Sequence, residues 1–169
     1  MKTVLITGAS GGIGRAAAKD AILKTEFTNL WVMPSNMSLA GADSELAEVE
    51  NAEKCLKTAL EGIKNDYRYI IIDCPPALSR LTVNALTAAT GVVIPMPCEY
   101  YALEGVGQLM NTVKLVRMKL NPALQVEGIV LTMFDARTNL GAQVVQVIGR
   151  TFVLFRQKEK DSQFKLPKA

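Results

Sequence analysis

The sequence predicts a three-layer α/β fold in a single domain, with a mostly parallel β-sheet covered by helices on both faces. Short β-rich segments alternate along the chain with helical patterns, which is the order that a parallel sheet requires. The segment Tyr69–Asp73 is almost continuously apolar, as strands covered on both faces are. A length of 169 residues suits one domain, and 49% hydrophobic against 21% charged residues is typical of a globular protein.

The strands are predicted from β-rich runs that stop at turn-forming or polar residues. Lys2–Thr7 runs into a glycine-rich turn, and Leu30–Pro34 is ended by its own proline. The predicted strands are Lys2–Thr7, Leu30–Pro34, Tyr69–Asp73, Val92–Pro95 and Val126–Thr132.

Helices are predicted where apolar residues recur every three or four positions. The pattern is clearest in Tyr101–Leu120, and Leu39–Leu60 also places apolar residues near one face. The predicted helices are Ile13–Leu23, Leu39–Leu60, Leu81–Ala89, Tyr101–Leu120 and Asn139–Ile148.

The last part of the chain differs from the rest. Residues 1–152 are predicted to form the domain, and residues 153–169 a basic tail. Phe152–Ala169 holds five Lys or Arg residues and shows no helical stripe. We expect a short edge strand at Thr151–Phe155, and poor order from Gln157 onward.

Composition excludes several kinds of chemistry. The chain has no histidine, so it offers neither a Ser–His or Cys–His catalytic pair nor a histidine zinc site. Cys55, Cys74 and Cys98 form no CxxC pair and are expected to be buried small hydrophobes. The apolar stretches are too short to span a bilayer, so we expect a cytoplasmic protein without membrane contact. The net charge of +3 demands no particular partner.

A glycine-rich loop joins the first predicted strand to the first predicted helix. Its glycines allow close backbone approach, and the amides of a helix N-terminus attract anions, so a phosphate site is predicted here. A strand-to-helix turn without a ligand is the alternative. The candidate phosphate-binding residues are Ser10, Gly11, Gly12, Ile13, Gly14, Arg15 and Ala16.

The opening segment Met1–Ala18 resembles short-chain dehydrogenases, through a TGxxxGIG pattern that runs from Thr7 to Gly14. That resemblance implies an NAD(P) site. The chain has no Tyr-x-x-x-Lys pair, and residues 34–36, where an acid would hold the ribose, contain no carboxylate. The dehydrogenase interpretation therefore remains only as an NAD(P)-binding fold without catalytic residues.

From about residue 20 to residue 152 the chain resembles ParA/Soj-type partition ATPases. Four ordered segments carry this resemblance: Trp31–Leu46, Tyr69–Pro76, Cys98–Gly105 and Leu131–Thr138. The resemblance implies a P-loop, Rossmann-like fold that binds ATP or ADP with Mg²⁺. It also implies a homodimer, a ParB-type partner and nonspecific DNA binding.

The resemblance gives roles to individual residues. Ser10–Ala16 (SGGIGRA) stands in register with the family's phosphate loop KGGxGKT, and Asp73 with the carboxylate that binds Mg²⁺ through water. Pro75 and Pro76 stand in the switch segment that follows. For Asp73 to share a metal with the loop, Lys2–Thr7 and Tyr69–Asp73 must be neighbours, and we expect them at the centre of the sheet.

Departures from the family pattern predict weak activity. Arg15 replaces the phosphate-binding lysine, Ala16 the Mg²⁺-binding hydroxyl, and Ser10 the signature lysine. The D-x-D-P-Q-x-N motif that positions the attacking water is missing, and the chain looks composite near residues 16–19. We expect weak nucleotide binding and hydrolysis near background. A degenerate, non-enzymatic domain is the remaining alternative.

Overall fold

The structure is a computed structural model that describes residues 2–7, 18–35, 42–75, 77–133, 137, 143–146, 148 and 154–156. The chain divides into two compact units. The first contains Met1–Thr90 and Thr112–Leu124, and the second contains Gly91–Asn111 and Gln125–Ala169. The mostly parallel α/β class that the sequence predicts is confirmed.

The first unit is built on a four-stranded sheet. Its strands are β1 (Thr3–Thr7), β2 (Leu23–Lys24), β3 (Leu30–Met33) and β4 (Tyr69–Asp73), in the order β2-β3-β1-β4. β1 pairs in parallel with both β3 and β4, and β2 pairs antiparallel with β3.

The predicted pairing of the first and third strands is confirmed, but their predicted position is only half right. β1 is interior, whereas β4 lies at an edge of its sheet among the described strands. The expectation that β4 is buried is also wrong, because Ile71 at its middle is 50% exposed. Ile70 and Ile72 point the other way and pack against the core, so β4 alternates as a half-covered strand does.

One face of this sheet forms the core of the first unit. Side chains from β1 and β3 pack there with those of α2 (Cys55–Glu61) and α3 (Arg80–Ala88). Alternation explains the selection, because Val4 and Ile6 are almost fully buried while the strand residues on either side of them are only half-buried. The buried members of the cluster are Ile6, Ala18, Met33, Leu56, Leu60, Ile63 and Ala85.

The long helix predicted over Leu39–Leu60 is wrong. The described part consists of α1 (Ala42–Glu45), 3₁₀ turns at Leu46–Glu48 and Ala52–Lys54, and then α2. The chain is extended at Val49, and Asn51 adopts a left-handed conformation with φ 55°, which asparagine tolerates better than most residues. This break lets Leu46 and Ala52 pack together against Leu81 of α3.

The predicted helix Ile13–Leu23 ends earlier than expected. Its described part is a 3₁₀ turn at Ala18–Ala21, and Leu23 already lies in β2. The reason is the pairing of Leu23 with Val32 across the antiparallel strands, which a helical backbone at that position would prevent.

Two buried asparagines form hydrogen bonds with backbone groups at the ends of helices. Leu56 N–H, near the start of α2, donates to Asn84 Oδ1 at 3.1 Å, and Asn84 Nδ2 donates to the Ala52 carbonyl at 2.7 Å. Asn121 Nδ2 donates to the carbonyls of Leu86 and Ala89 at the end of α3. The first and last groups of a helix need such outside partners when they are buried.

The second unit holds a parallel sheet of β5 (Gly91–Pro97), β6 (Gln125–Thr132) and β7 (Leu154–Arg156), in that order. Its buried core contains Ile94, Met96, Ile129 and Leu131. β7 corresponds to the predicted edge strand. Residues 143–146 and 148 are helical, as predicted, whereas residues 157–169 of the predicted tail lie outside the described residues.

The helix α4 (Tyr100–Lys119) matches its prediction to within one residue at each end. Val106, Val113 and Val116 are buried, in agreement with the apolar stripe read from the sequence. None of the helices in the described ranges combines the length and the apolar character needed to cross a membrane.

Candidate functional site

The carboxyl ends of three parallel strands meet at one edge of the first unit's sheet. Thr7 ends β1 and stands opposite Asp73, which ends β4. On the other side of β1, Met33 ends β3, and the chain continues to Ser35, whose N–H donates to Thr7 Oγ1 at 3.3 Å. Ligands of open α/β sheets bind beyond the carboxyl ends of the strands, so this edge is the candidate site.

Thr7 is the point where β1 leaves the sheet for the glycine-rich segment. Its hydroxyl accepts the Ser35 N–H and so connects the exits of β1 and β3. The candidate phosphate-binding residues that follow lie outside the described residues: Ser10, Gly11, Gly12, Ile13, Gly14, Arg15 and Ala16. The structure does show where the glycine-rich segment begins: Thr7, three residues before Ser10, lies directly beside Asp73.

Asp73 has the exposure that a metal-binding carboxylate needs. The residue is exposed, and no described cation forms an ion pair with it. Within the described ranges, no three Cys, Asp or Glu side chains gather into a protein cage for a metal. Mg²⁺ in phosphate sites usually takes one or two carboxylates and keeps several waters, so a single carboxylate at this edge fits a hydrated Mg²⁺.

The segment after Asp73 begins with Cys74 and Pro75, which are both exposed. Of the two predicted switch prolines, Pro75 lies two residues after Asp73, and Pro76 lies outside the described residues. The expectation that all three cysteines are buried is wrong for Cys74, whereas Cys55 and Cys98 are half-buried. The strand end explains the difference, because β4 leaves the core at Asp73.

The Cys74 thiol is less acidic than a free thiol. Desolvation raises its pKa, and the neighbouring Asp73 carboxylate raises that pKa further. The residue as a whole is exposed, but its Sγ lies 3.9 Å from the Ile72 carbonyl, so the sulfur faces the strand rather than open water. A protonated thiol is the weaker nucleophile.

We expect alkylation of Cys74 by iodoacetamide to reach its maximal rate at a higher pH than alkylation of free cysteine. Replacing Asp73 with asparagine should lower the pKa of the thiol, because the carboxylate charge that opposes the thiolate is gone. The measurement is peptide mapping of Cys74 after timed alkylation over a pH series. A midpoint that stays in place in Asp73→Asn would contradict the electrostatic coupling of the two residues.

Sequence reasoning missed the polar contacts that hold this region. Thr82 Oγ1 donates to the Ala77 carbonyl at 2.7 Å, and Asn84 links α3 to the start of α2. In the sequence these residues read as ordinary members of a helix. The available signal was their polarity at positions within the apolar stripe of α3, where both are buried.

Comparison with protein families and curated proteins gives a consistent result. The model of the AAA domain family matches residues 2–126. The chain is 56% identical over 133 residues to the sporulation initiation inhibitor protein Soj of Bacillus subtilis (strain 168), covering 79% of the chain and 53% of Soj. It is 52% identical over 128 residues to the chromosome partitioning protein ParA of Myxococcus xanthus (strain DK1622), covering 76% and 45%. The chain thus spans about half the length of these relatives.

Solved structures show the same fold. Cobyrinic acid a,c-diamide synthase from Mycobacterium smegmatis, in a structure with bound ADP and magnesium, superposes with a TM-score of 0.80 at 30% identity, covering 89% of this chain and 69% of that one. The ATP complex of a McdA variant from Cyanothece superposes with a TM-score of 0.82 at 17% identity, covering 92% and 70%, and shows likeness of fold alone. With its parallel sheet, its Asp73 at the carboxyl edge and these relatives, the chain belongs to the AAA domain family and is of the ParA/Soj type.

Proposed function

We propose that this chain binds ATP or ADP together with Mg²⁺ at the carboxyl edge of the first unit's sheet, as a ParA-like partition protein. The observation that carries the proposal is the pairing of Thr7 with Asp73. It puts the start of the glycine-rich segment, which can hold phosphates, beside an exposed carboxylate, which can hold Mg²⁺.

The backbone amides of the glycine-rich segment and the Asp73 carboxylate would bind different parts of the ligand. The amides around Gly11, Gly12 and Gly14 would bind the phosphates, since backbone donors do not depend on the replaced side chains. Asp73 would bind Mg²⁺ through water, and the metal would neutralise phosphate charge. The solved diamide synthase that is 30% identical to this chain has ADP and magnesium bound, which supports this choice of ligand.

Binding should be weak and hydrolysis slow. Ala16 offers Mg²⁺ no hydroxyl, and Arg15 presents a planar fork where the family has a compact ammonium. Phosphoryl transfer depends almost entirely on positioning and electrostatics, and removing one preorganised group costs on the order of 10²–10³ in rate. With the water-positioning motif also missing, turnover is expected near background.

The NAD(P) alternative rests on the opening segment alone. Its pattern from Thr7 to Gly14 suits a dinucleotide, but neither of the curated relatives described above is a dehydrogenase. The dinucleotide motif holds the pyrophosphate with backbone amides at a helix N-terminus and requires no metal ion. Magnesium dependence therefore separates the two interpretations.

We expect Mg²⁺ to strengthen the binding of ATP and ADP. The expected gain in affinity is about tenfold, from the strength of hydrogen bonds to charged groups. Asp73→Asn should remove this Mg²⁺-dependent gain. Binding in EDTA should be unchanged, because the phosphate-binding amides remain. Calorimetric titration with ATP, ADP, NAD and NADP, each with Mg²⁺ or EDTA, measures both quantities.

The matched control is Asp66→Asn, which removes the same charge from the other end of the sheet. Asp66 forms an exposed ion pair with Lys19 at 3.4 Å, and such pairs contribute little to stability. Equal loss of the Mg²⁺ effect in both variants would mean that Asp73 has no specific role in binding Mg²⁺. Tight NAD binding without any response to ATP would support the dehydrogenase interpretation of the glycine-rich segment instead.

The partners of the proposed function are a second copy of the chain, a ParB-type protein and nonspecific DNA. For DNA, we expect residues 157–169, which contain Lys158, Lys160, Lys165 and Lys168, to supply a salt-sensitive part of the affinity. Deleting them should reduce the slope of log K (the DNA-binding constant) against log salt concentration by up to about 3 to 4 in magnitude, since each neutralised phosphate contributes roughly 0.9 to that slope. Fluorescence anisotropy across a salt series measures the slope, and an unchanged slope would contradict a role for the tail.

A further inference from the structure

The chain between the site carboxylate and α3 is held by a side chain of α3. Thr82 is 5% exposed, and its Oγ1 donates to the Ala77 carbonyl at 2.7 Å. The contact reaches back from the first turn of the helix to the entry loop, by which we mean Ala77–Ser79. In the sequence the entry loop directly precedes α3, and three residues, Cys74–Pro76, separate it from Asp73.

Ser79 shows that this arrangement has a cost. It occupies the N-cap position of α3 with extended backbone angles (φ −92°, ψ 175°), yet its hydroxyl caps nothing. The Oγ atom is buried and has no hydrogen-bond partner among the described residues. A buried hydroxyl without a partner destabilises the conformation that contains it. The entry loop is thus held in place against the preference of its own N-cap residue.

The rest of α3 is fixed independently of the entry loop. Asn84 bonds to Ala52 and Leu56, and Asn121 bonds to the last carbonyls of the helix. Since the body of α3 is anchored from two sides, the Thr82 contact positions the loop against a fixed helix rather than the helix against the loop.

We propose that Thr82 is a positioning residue for Asp73: its hydroxyl holds the entry loop and thereby holds the end of β4, where the carboxylate meets Mg²⁺. The proposal rests on the proposed function for the identity of the ligand. The contact with Ala77 and the unsatisfied Ser79 hydroxyl involve protein atoms alone. They can be tested without any nucleotide.

The first experiment measures amide hydrogen exchange of residues 77–83 by mass spectrometry in the full chain without nucleotide. This range contains Val83, whose N–H donates to the Ser79 carbonyl of the entry loop at 3.1 Å. Thr82→Val keeps the side-chain shape and removes the hydroxyl, so exchange should rise about two- to tenfold, the factor that one hydrogen bond supplies. Thr82→Ser keeps the hydroxyl and should restore slow exchange. Ser79→Ala removes the unsatisfied hydroxyl and should leave exchange equal or slower.

The matched control is Thr87→Val on the same helix. Thr87 is fully buried and donates only to the Val83 carbonyl within α3, so this variant makes the same substitution without touching the entry loop. Exchange of residues 77–83 should stay at the wild-type rate. Equal acceleration in Thr87→Val and Thr82→Val, or none in Thr82→Val, would overturn the role of Thr82 in holding the loop.

The second experiment separates positioning of Asp73 from loop stability. In calorimetric titration with ADP, Thr82→Val should weaken the Mg²⁺-dependent part of the affinity about two- to tenfold and leave binding in EDTA unchanged. Thr82→Ser should recover the Mg²⁺ effect, and Thr87→Val should keep it. A normal Mg²⁺ effect in Thr82→Val would overturn the positioning role. If Asp73→Asn also keeps the Mg²⁺ effect, it is the proposed function that fails, while the exchange result still decides how the loop is held.

Discussion

Asn84→Ala is expected to lower the free energy of unfolding of the first unit by about 2–4 kcal/mol, because it leaves buried polar groups without partners and opens a small cavity. Asn84 is 0% exposed. Its amide accepts from Leu56 N–H and donates to the Ala52 carbonyl, and a longer bond of 3.4 Å reaches the Arg80 carbonyl. The Ala52 carbonyl also accepts the Cys55 N–H, whereas the N–H of the fully buried Leu56 depends on Asn84.

The physical reason is that α2 begins without a cap of its own. Lys54 stands at its N-cap position and makes no side-chain hydrogen bond there. Asn84 supplies the missing acceptor from another helix, so the loss of one side chain disturbs both α2 and the 3₁₀ turn that contains Ala52. Substitutions that strand buried hydrogen-bonding groups are among the few that cost this much.

Urea unfolding followed by the fluorescence of Trp31 measures this effect. Trp31 is the single tryptophan and lies in β3 of the same unit, with its ring 5.8 Å from that of Tyr67. Asn65→Ala is the control, because Asn65 is exposed in the turn before β4 and its loss should change stability by less than about 0.5 kcal/mol. Similar urea midpoints for Asn84→Ala and the control would mean that the backbone groups at the start of α2 find other hydrogen-bond partners.

The double substitution Arg15→Lys and Ala16→Thr is expected to raise the Mg²⁺-dependent affinity for ATP by about 10- to 100-fold, from the strength of hydrogen bonds to charged groups. Lysine returns a compact charge to the β- and γ-phosphates, and threonine returns a hydroxyl ligand to Mg²⁺. ADP should gain less, since it lacks the γ-phosphate. The unaltered chain should distinguish ATP from ADP only slightly.

The same variant should still hydrolyse ATP near background. The D-x-D-P-Q-x-N motif is absent from the chain, so no carboxylate positions the attacking water. Calorimetry measures the affinities, and phosphate release measures turnover. Submicromolar, Mg²⁺-dependent ATP binding by the unaltered chain, or fast hydrolysis by the double variant, would contradict this account of the loop.

Local pattern was sufficient for some of the regular elements and for the family. The apolar stripe of α4 and the β-rich run of β1 are properties of neighbouring residues, and both elements lie where the sequence predicts them. The pairing of β1 with β4 was also predicted from the sequence, because a glycine-rich segment and a carboxylate that share one metal are expected at the ends of neighbouring strands. The glycine-rich residues 10–16 stay a prediction, since they lie outside the described residues.

Other features depend on tertiary structure, and apolar periodicity does not predict them. Periodicity shows which face of a segment is buried, but it does not show that Val49–Asn51 breaks a helix so that Leu46 and Ala52 can meet Leu81. It likewise gave no sign that β4 lies at a sheet edge with Ile71 half-exposed.

The polar contacts of α3 depend on tertiary structure for the same reason. Asn84 bonds to residues 28 and 32 positions away, and Asn121 to one 35 positions away. Hydrogen bonds between distant positions leave no mark in local spacing, because any helix with a buried asparagine would show the same letters. The sequence therefore predicted that the strand ending at Asp73 lies beside the strand that leads into the glycine-rich segment. Only the folded chain decided which side chains hold the ends of α2 and α3 in place.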